Sequence, residues 1–104
     1  MENKQGYLAK LQLAVEHLHN CGATWLKTVP VCEEFRGEIA WAGDVEIFGL
    51  HGHDKAERCY AWAHLDGPND ELTRFVAILE IPPVKDAVTA VRVQIVKDVK
   101  DGKK

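Results

Sequence analysis

A chain of 104 residues with 46% hydrophobic and 28% charged residues has the length and composition of one globular domain with its own core. Its net charge of −3 provides no attraction to nucleic acid, and no apolar run approaches the length that crosses a membrane. We therefore expect neither a nucleic-acid nor a membrane partner. The first residues lack the basic and apolar segments of a signal peptide, so the expected location is the cytoplasm. The three cysteines have no CxxC spacing and are expected to be reduced thiols.

The first predicted element is an amphipathic helix from about Asn3 to Cys21. Its apolar residues recur at intervals of three and four, which is the helical period: they are Tyr7, Leu8, Leu11, Ala14, Val15, Leu18 and Cys21. Gly22 follows directly, and glycine most easily adopts the left-handed conformation that caps a helix. The helix is therefore expected to end at Gly22.

The rest of the chain reads as strands joined by short turns. Pro30 limits the first strand to an edge or a strand end, and Gly43-Asp44 interrupts the second, which is one long strand or two. The predicted strands are Thr24–Val29, Glu38–Leu50, Ala56–Leu65, Leu72–Ile81 and Ala87–Lys97. Loops are expected at His51–Lys55 and at the turn Asp66–Asp70.

The expected fold is α+β, with the N-terminal helix packed on a curved antiparallel sheet of about five strands. The single domain is expected to cover residues 1–97. Residues 98–104 are mostly charged and are expected to form a frayed C-terminal tail.

The strand Arg58–Leu65 separates two kinds of side chain, because successive residues of a strand face opposite sides. One side carries the small residues Cys59, Ala61 and Ala63, which would let a helix approach closely. The other side carries Arg58, Tyr60, Trp62 and His64. Aromatic side chains with polar groups are typical of pockets and interfaces, although Tyr and Trp are also common core residues.

One helix covers one face of a sheet, so the aromatic face is predicted to be left open. The sheet is expected to curl around a small-molecule pocket, or two copies are expected to pack as a homodimer. The two arrangements are compatible with each other. The leading hypothesis is a binding module for a planar or cationic compound. Its candidate ligand-binding residues are Trp41, Tyr60, Trp62, His64 and Arg92. An alternative hypothesis is a homo-oligomeric interaction module without a ligand.

A further alternative is a small enzyme that uses His64 with a carboxylate, or a metal held by His51, His53 and Glu57, and no catalytic residue is assigned. His64 with Glu46 or Glu80 would make a general-base pair if they meet across strands. The spacing of His51, His53 and Glu57 resembles the first metal motif of the cupins, but a solvated loop is the favoured interpretation, so no metal or cofactor is expected.

Three stretches resemble small bacterial proteins encoded by the mobile gene cassettes of integrons. They read HLHNCGATWLKTVPVCEEF, GHDKAERCYAW and VAILEIPPV with the later AVRVQIV. The resemblance implies a bacterial cytoplasmic protein that forms homo-oligomers and has a small-molecule pocket. It brings no catalytic residue with it.

Overall fold

The computed structural model describes residues 4–65 and 72–100, with side chains at 5–63 and 75–97. Within these ranges the elements are α1 (Lys4–His19), β1 (Gly22–Phe35), β2 (Glu38–His51), β3 (Arg58–Leu65), β4 (Leu72–Leu79) and α2 (Ala87–Lys100). The strands pair antiparallel in the order β1-β2-β3-β4, so each lies beside the next along the chain. The predicted α+β class and antiparallel sheet are confirmed.

The helix α1 ends before the predicted Gly22. Asn20 adopts the left-handed conformation (φ 54°), and the amide of Cys21 donates a hydrogen bond to the carbonyl of Glu16 at 3.3 Å. This six-to-one bond is the mark of a Schellman cap, and asparagine is one of the few residues that tolerate its conformation. Gly22 instead begins β1, so the predicted cap position is wrong by two residues.

The helix α1 packs on the small-residue side of β3. Leu11 and Val15 lie in one core cluster with Cys59 and Ala61, and all four are nearly or fully inaccessible to solvent. Small side chains on the sheet let a helix come close enough for its own leucine and valine to fill the gap. The prediction that this side of the strand is structural is confirmed.

The predicted fifth strand, Ala87–Lys97, is wrong, because this segment lies in the helix α2. Its Val91, Val93 and Ile95 alternate as strand residues do. Burial instead follows the helical period of three and four, at Ala87, Ala90, Val91 and Gln94. In the described residues the sheet therefore has four strands. The open aromatic face also does not occur, because α2 packs on it.

The start of α2 is fixed by a reciprocal cap between Asp86 and Thr89. The amide of Thr89 donates to Asp86 Oδ1 at 2.9 Å, and the amide of Asp86 donates to Thr89 Oγ1 at 3.0 Å. Both amides would otherwise lack a partner in the first turn of the helix. The reciprocal cap therefore marks the residue at which α2 begins.

A two-residue turn at Arg36-Gly37 joins β1 to β2. Both residues have positive φ (57° and 81°), as a type I′ hairpin turn requires. The strand β2 runs on through Gly43-Asp44, where an interruption was predicted. Pro30 lies in the edge strand β1, as predicted, where its missing N–H is tolerated.

The predicted loop His51–Lys55 falls between β2 and β3, although His51 is the last residue of β2. The predicted turn Asp66–Asp70 lies outside the described residues. The helix α2 continues into the predicted tail as far as Lys100, and residues 101–104 are again outside the described ranges. Neither described helix is long and apolar enough to span a membrane.

Candidate ligand-binding site

The sheet divides on one side of β3. The pairing of β2 with β3 stops at Glu46↔Ala61, whereas β3 and β4 continue to pair up to Leu65↔Leu72. Beyond this point β2 no longer pairs with β3. We call this part of the β1–β2 hairpin, residues 29–35 and 38–45, the arm. The amide of Ala63 donates instead to the hydroxyl of Tyr7 on α1, at 3.1 Å. The arm and the β3–β4 hairpin thus part where the two indoles described next lie.

Trp41 of the arm and Trp62 of β3 face each other at this division. Their ring centroids are 5.2 Å apart and their planes are inclined by 57°. Trp62 is 2% exposed, whereas Trp41 is half-buried. The Trp41 ring lies over Gly43, where a Cβ atom would come within 3.2 Å of it, so glycine makes room for the indole. The aliphatic residues of the same core cluster include Val31, Val45 and Val91.

The indole nitrogen of Trp62 is a buried hydrogen-bond donor that lacks an acceptor in the part of the chain that the structure describes. Among the described residues, Trp62 Nε1 has no hydrogen-bond partner. Trp25 provides the contrast, because its Nε1 donates to Glu46 Oε1 at 2.9 Å. A buried donor without a partner costs about 1–3 kcal/mol, and such groups are rare in folded proteins. The nitrogen is therefore suited to an acceptor that comes from outside the chain.

Tyr60 belongs to the same buried cluster, and its hydroxyl has partners. The hydroxyl donates to Glu80 Oε2 at 2.5 Å and lies 3.3 Å from the carbonyl oxygen of Lys85. Burial raises the pKa of Tyr60 well above its ordinary value, and the bond to Glu80 adds to this effect. The phenol stays neutral and fastens the segment that leads into α2.

Arg92 lies at the rim of the site. Its Nε donates to Glu33 Oε1 at 2.6 Å, which raises the pKa of the guanidinium further and ties α2 to the arm. Glu33 stands directly opposite Trp41 in the strand register. The structure therefore connects Arg92 to the tryptophan pair through Glu33.

His64 is the fifth candidate residue. Its backbone pairs with Arg74 between β3 and β4, but its side chain lies outside the described residues. The general-base hypothesis for His64 stays a prediction. Of its two suggested partners, Glu80 accepts the bond from Tyr60, and the fully buried Glu46 accepts bonds from Trp25 and Thr28.

The two histidines of the cupin-like spacing make local contacts. His51 Nε2 lies 2.7 Å from Thr24 Oγ1, and His53 Nδ1 accepts the amides of Lys55 and Ala56 at 3.1 Å each. In the part of the chain that is described, no group of three or more His, Cys, Asp or Glu side chains is arranged to hold a metal ion.

The three cysteines are free thiols. Cys59 is fully buried, and this burial, with Cys21 nearby, raises its pKa to about 12. A thiol with so high a pKa remains protonated and is a poor nucleophile. Cys32 is exposed on the arm.

Two residues of the site were missed by the sequence analysis. Gly43 lies two positions after Trp41 on the same strand face, so alternation along the strand could have found it. Glu33 could not be found this way, because its place opposite Trp41 depends on the turn at Arg36-Gly37 and on the irregularity between Glu33 and Glu34.

The resemblance to integron cassette proteins stays a prediction, and the function has to be inferred from the chain's own residues and contacts. The chain matches no protein-family model, no curated protein and no solved structure.

Proposed function

We propose that this protein is a small-molecule-binding module whose ligand lies against Trp41 and Trp62, where the arm parts from β3. The observation that carries the proposal is the unpartnered Trp62 Nε1. A ligand that offers an acceptor to this nitrogen would recover the free energy that the buried donor costs the unliganded protein.

The surroundings of this nitrogen suit a flat ligand. Binding sites are commonly lined by aromatic and aliphatic side chains with a few placed polar groups. Here two indoles supply flat apolar surface, and the ring of Trp41 is partly exposed to solvent. Beside the indoles, the Glu33–Arg92 ion pair adds polar groups, with the Arg92 side chain 63% exposed and the Glu33 side chain 15% exposed.

A catalytic step is not part of the proposal. Tyr60 is held as a neutral donor, and the thiol of Cys59 is held protonated by burial. The proposal assigns ligand binding, and no catalytic role, to the residues near the tryptophan pair.

The alternative is a homo-oligomeric interaction module, and a different feature favours it. Phe35 and Ile39, beside the turn of the arm, are 49% and 64% exposed. Since α2 covers the aromatic face, a dimer contact would lie at the tip of the arm. Sedimentation velocity on the Phe35→Ser, Ile39→Ser double variant tests this alternative: a dimer that becomes monomeric supports it, and a wild-type monomer at all concentrations excludes it.

Native mass spectrometry tests the small-molecule proposal. Untagged protein is purified without chelator and measured before and after incubation with a mixture of flat aromatic fragments at millimolar concentration. We expect added organic mass that Trp41→Ala loses and Phe35→Ala keeps. Phe35→Ala is the matched control, because it also removes an aromatic ring from the arm. Bare protein in every sample, or added mass that survives Trp41→Ala, would contradict the proposal.

A further inference from the structure

Resting on the proposed function, we infer the class of ligand: an uncharged planar aromatic compound with a lone-pair acceptor on its edge, such as a ring nitrogen or a carbonyl. An aromatic cation would fit the indole faces equally well in shape. Three features of the site separate the two classes.

The first feature is the direction of the missing hydrogen bond. An indole N–H can only donate, so the group that completes Trp62 must carry a free lone pair. Trp62 is 2% exposed, and in the described part of the chain its nitrogen has no acceptor. A cation without a lone pair would occupy the site and leave the donor unmet.

The second feature is the charge around the pair. Glu33, the carboxylate opposite Trp41, is already neutralised by Arg92 at 2.6 Å. The aliphatic side chains around the indoles, including Val45 and Val91, would strip water from a bound cation without replacing it. Cation–π attraction from the indole faces would have to offset this loss alone.

The third feature is the tilt between the rings. Because the two planes are inclined by 57°, one flat ligand cannot stack on both. A ligand stacked on Trp41 meets Trp62 at an angle. Aromatic nitrogens and carbonyl oxygens hold their lone pairs in the ring plane, so their acceptor lies at the edge that approaches Trp62.

Three probes of nearly the same shape test the inference: quinoline, naphthalene and 1-methylquinolinium. Quinoline is uncharged at neutral pH and has one in-plane lone pair, whereas naphthalene has no lone pair. In 1-methylquinolinium the lone pair forms the bond to the methyl group, and the nitrogen carries a positive charge. Affinities are measured by quenching of tryptophan fluorescence. We expect quinoline to bind at least about tenfold more tightly than either analogue. Trp62→Phe should lose this preference, and the matched Trp25→Phe should keep it.

Each other outcome has a distinct meaning. Tighter binding of 1-methylquinolinium, or a quinoline preference that survives Trp62→Phe, overturns the inferred class but leaves the proposed site standing. Equal binding of all three probes to wild type and to Trp41→Ala overturns the proposed function itself. If Trp62→Phe does not fold, the ¹⁵N–¹H indole signal of Trp62 in the wild-type protein decides. A downfield shift with quinoline and none with naphthalene supports the inference, and equal shifts contradict it.

Discussion

The replacement of Asp86 by alanine tests whether α2 forms, and hence whether the aromatic face is covered. Asp86 holds the first turn of α2 through its reciprocal bonds with Thr89. Loss of such a cap costs about 1 kcal/mol, within about 0.5–2 kcal/mol. For a domain of this size we expect the melting temperature to fall by about 4–8 °C for each kcal/mol lost.

The contribution of Asp86 should also depend on pH. The hydrogen bonds from Thr89 hold the pKa of Asp86 below its ordinary value. A carboxyl whose pKa is lowered on folding adds stability above the unfolded pKa of about 4, and this stability is lost as pH falls through the lower, folded pKa. The difference between wild type and Asp86→Ala should therefore be full at pH 7 and should shrink in acid.

Urea unfolding followed by tryptophan fluorescence measures both effects. The matched control is Asp44→Ala, which removes the same charge from an exposed position on β2. A double-mutant cycle with Thr89→Ala should show coupling between the two cap residues. Equal stability of Asp86→Ala and Asp44→Ala at pH 7 would refute the cap, and it is the result expected if residues 87–97 formed a strand.

Three further substitutions or modifications probe the interior. Glu46→Ala should lower the free energy of unfolding by about 2–4 kcal/mol, because the buried carboxylate accepts two side-chain bonds; Glu46→Gln keeps an acceptor and should cost less than half as much in urea unfolding. Ellman's reagent should label Cys32 quickly and Cys59 only on unfolding. Burial raises the pKa of Cys59 to about 12, so the free energy of unfolding should fall as pH rises above about 9. Tyr60→Phe should cost about 1–2 kcal/mol in thermal unfolding through the lost bond to Glu80.

A specific result would contradict each of these three predictions. Equal costs for the two Glu46 variants would mean that the site prefers charge over a hydrogen-bond acceptor. Rapid labelling of Cys59 in the folded protein would place it outside the core. Unchanged stability of Tyr60→Phe would mean that its hydroxyl is solvated, against the contacts described.

The spacing of residues within one element was sufficient to predict its packing where one face of that element contacts a single partner. The helical spacing in α1 and the small residues of β3 each specify a single packing solution, and Leu11 and Val15 pack on Cys59 and Ala61 as predicted. The edge position of Pro30 is one of the two alternatives that its missing donor predicted. Each of these patterns can be seen within one element, although the packing itself joins residues that are far apart in sequence.

The helix α2 was misassigned because its sequence satisfies two periods. Val91, Val93 and Ile95 alternate like a strand, and β-branched residues favour that interpretation. The helical alternative is selected by tertiary context: a sheet with apolar residues on both faces needs a second cover. The signal for the helix was the pair Asp86 and Thr89, three apart, just after Pro82-Pro83.

The site was predictable only in part. Trp41 and Trp62 were expected to be neighbours, and their rings are in contact. The unpartnered donor could not be predicted, because it depends on where β2 leaves β3, at Glu46↔Ala61. Strand register of this kind is set by turns and bulges together with packing, and not by side-chain type at one position.

The most direct test of the central claim is a crystal structure of the protein, free and with quinoline bound, at a resolution that shows ordered water. We predict that in the free protein Trp62 Nε1 has no acceptor, and that quinoline stacks on Trp41 with its nitrogen about 3 Å from Trp62 Nε1. A free structure in which an acceptor of this chain pairs with Trp62 Nε1, or a complex in which quinoline lies away from both indoles, would contradict the account.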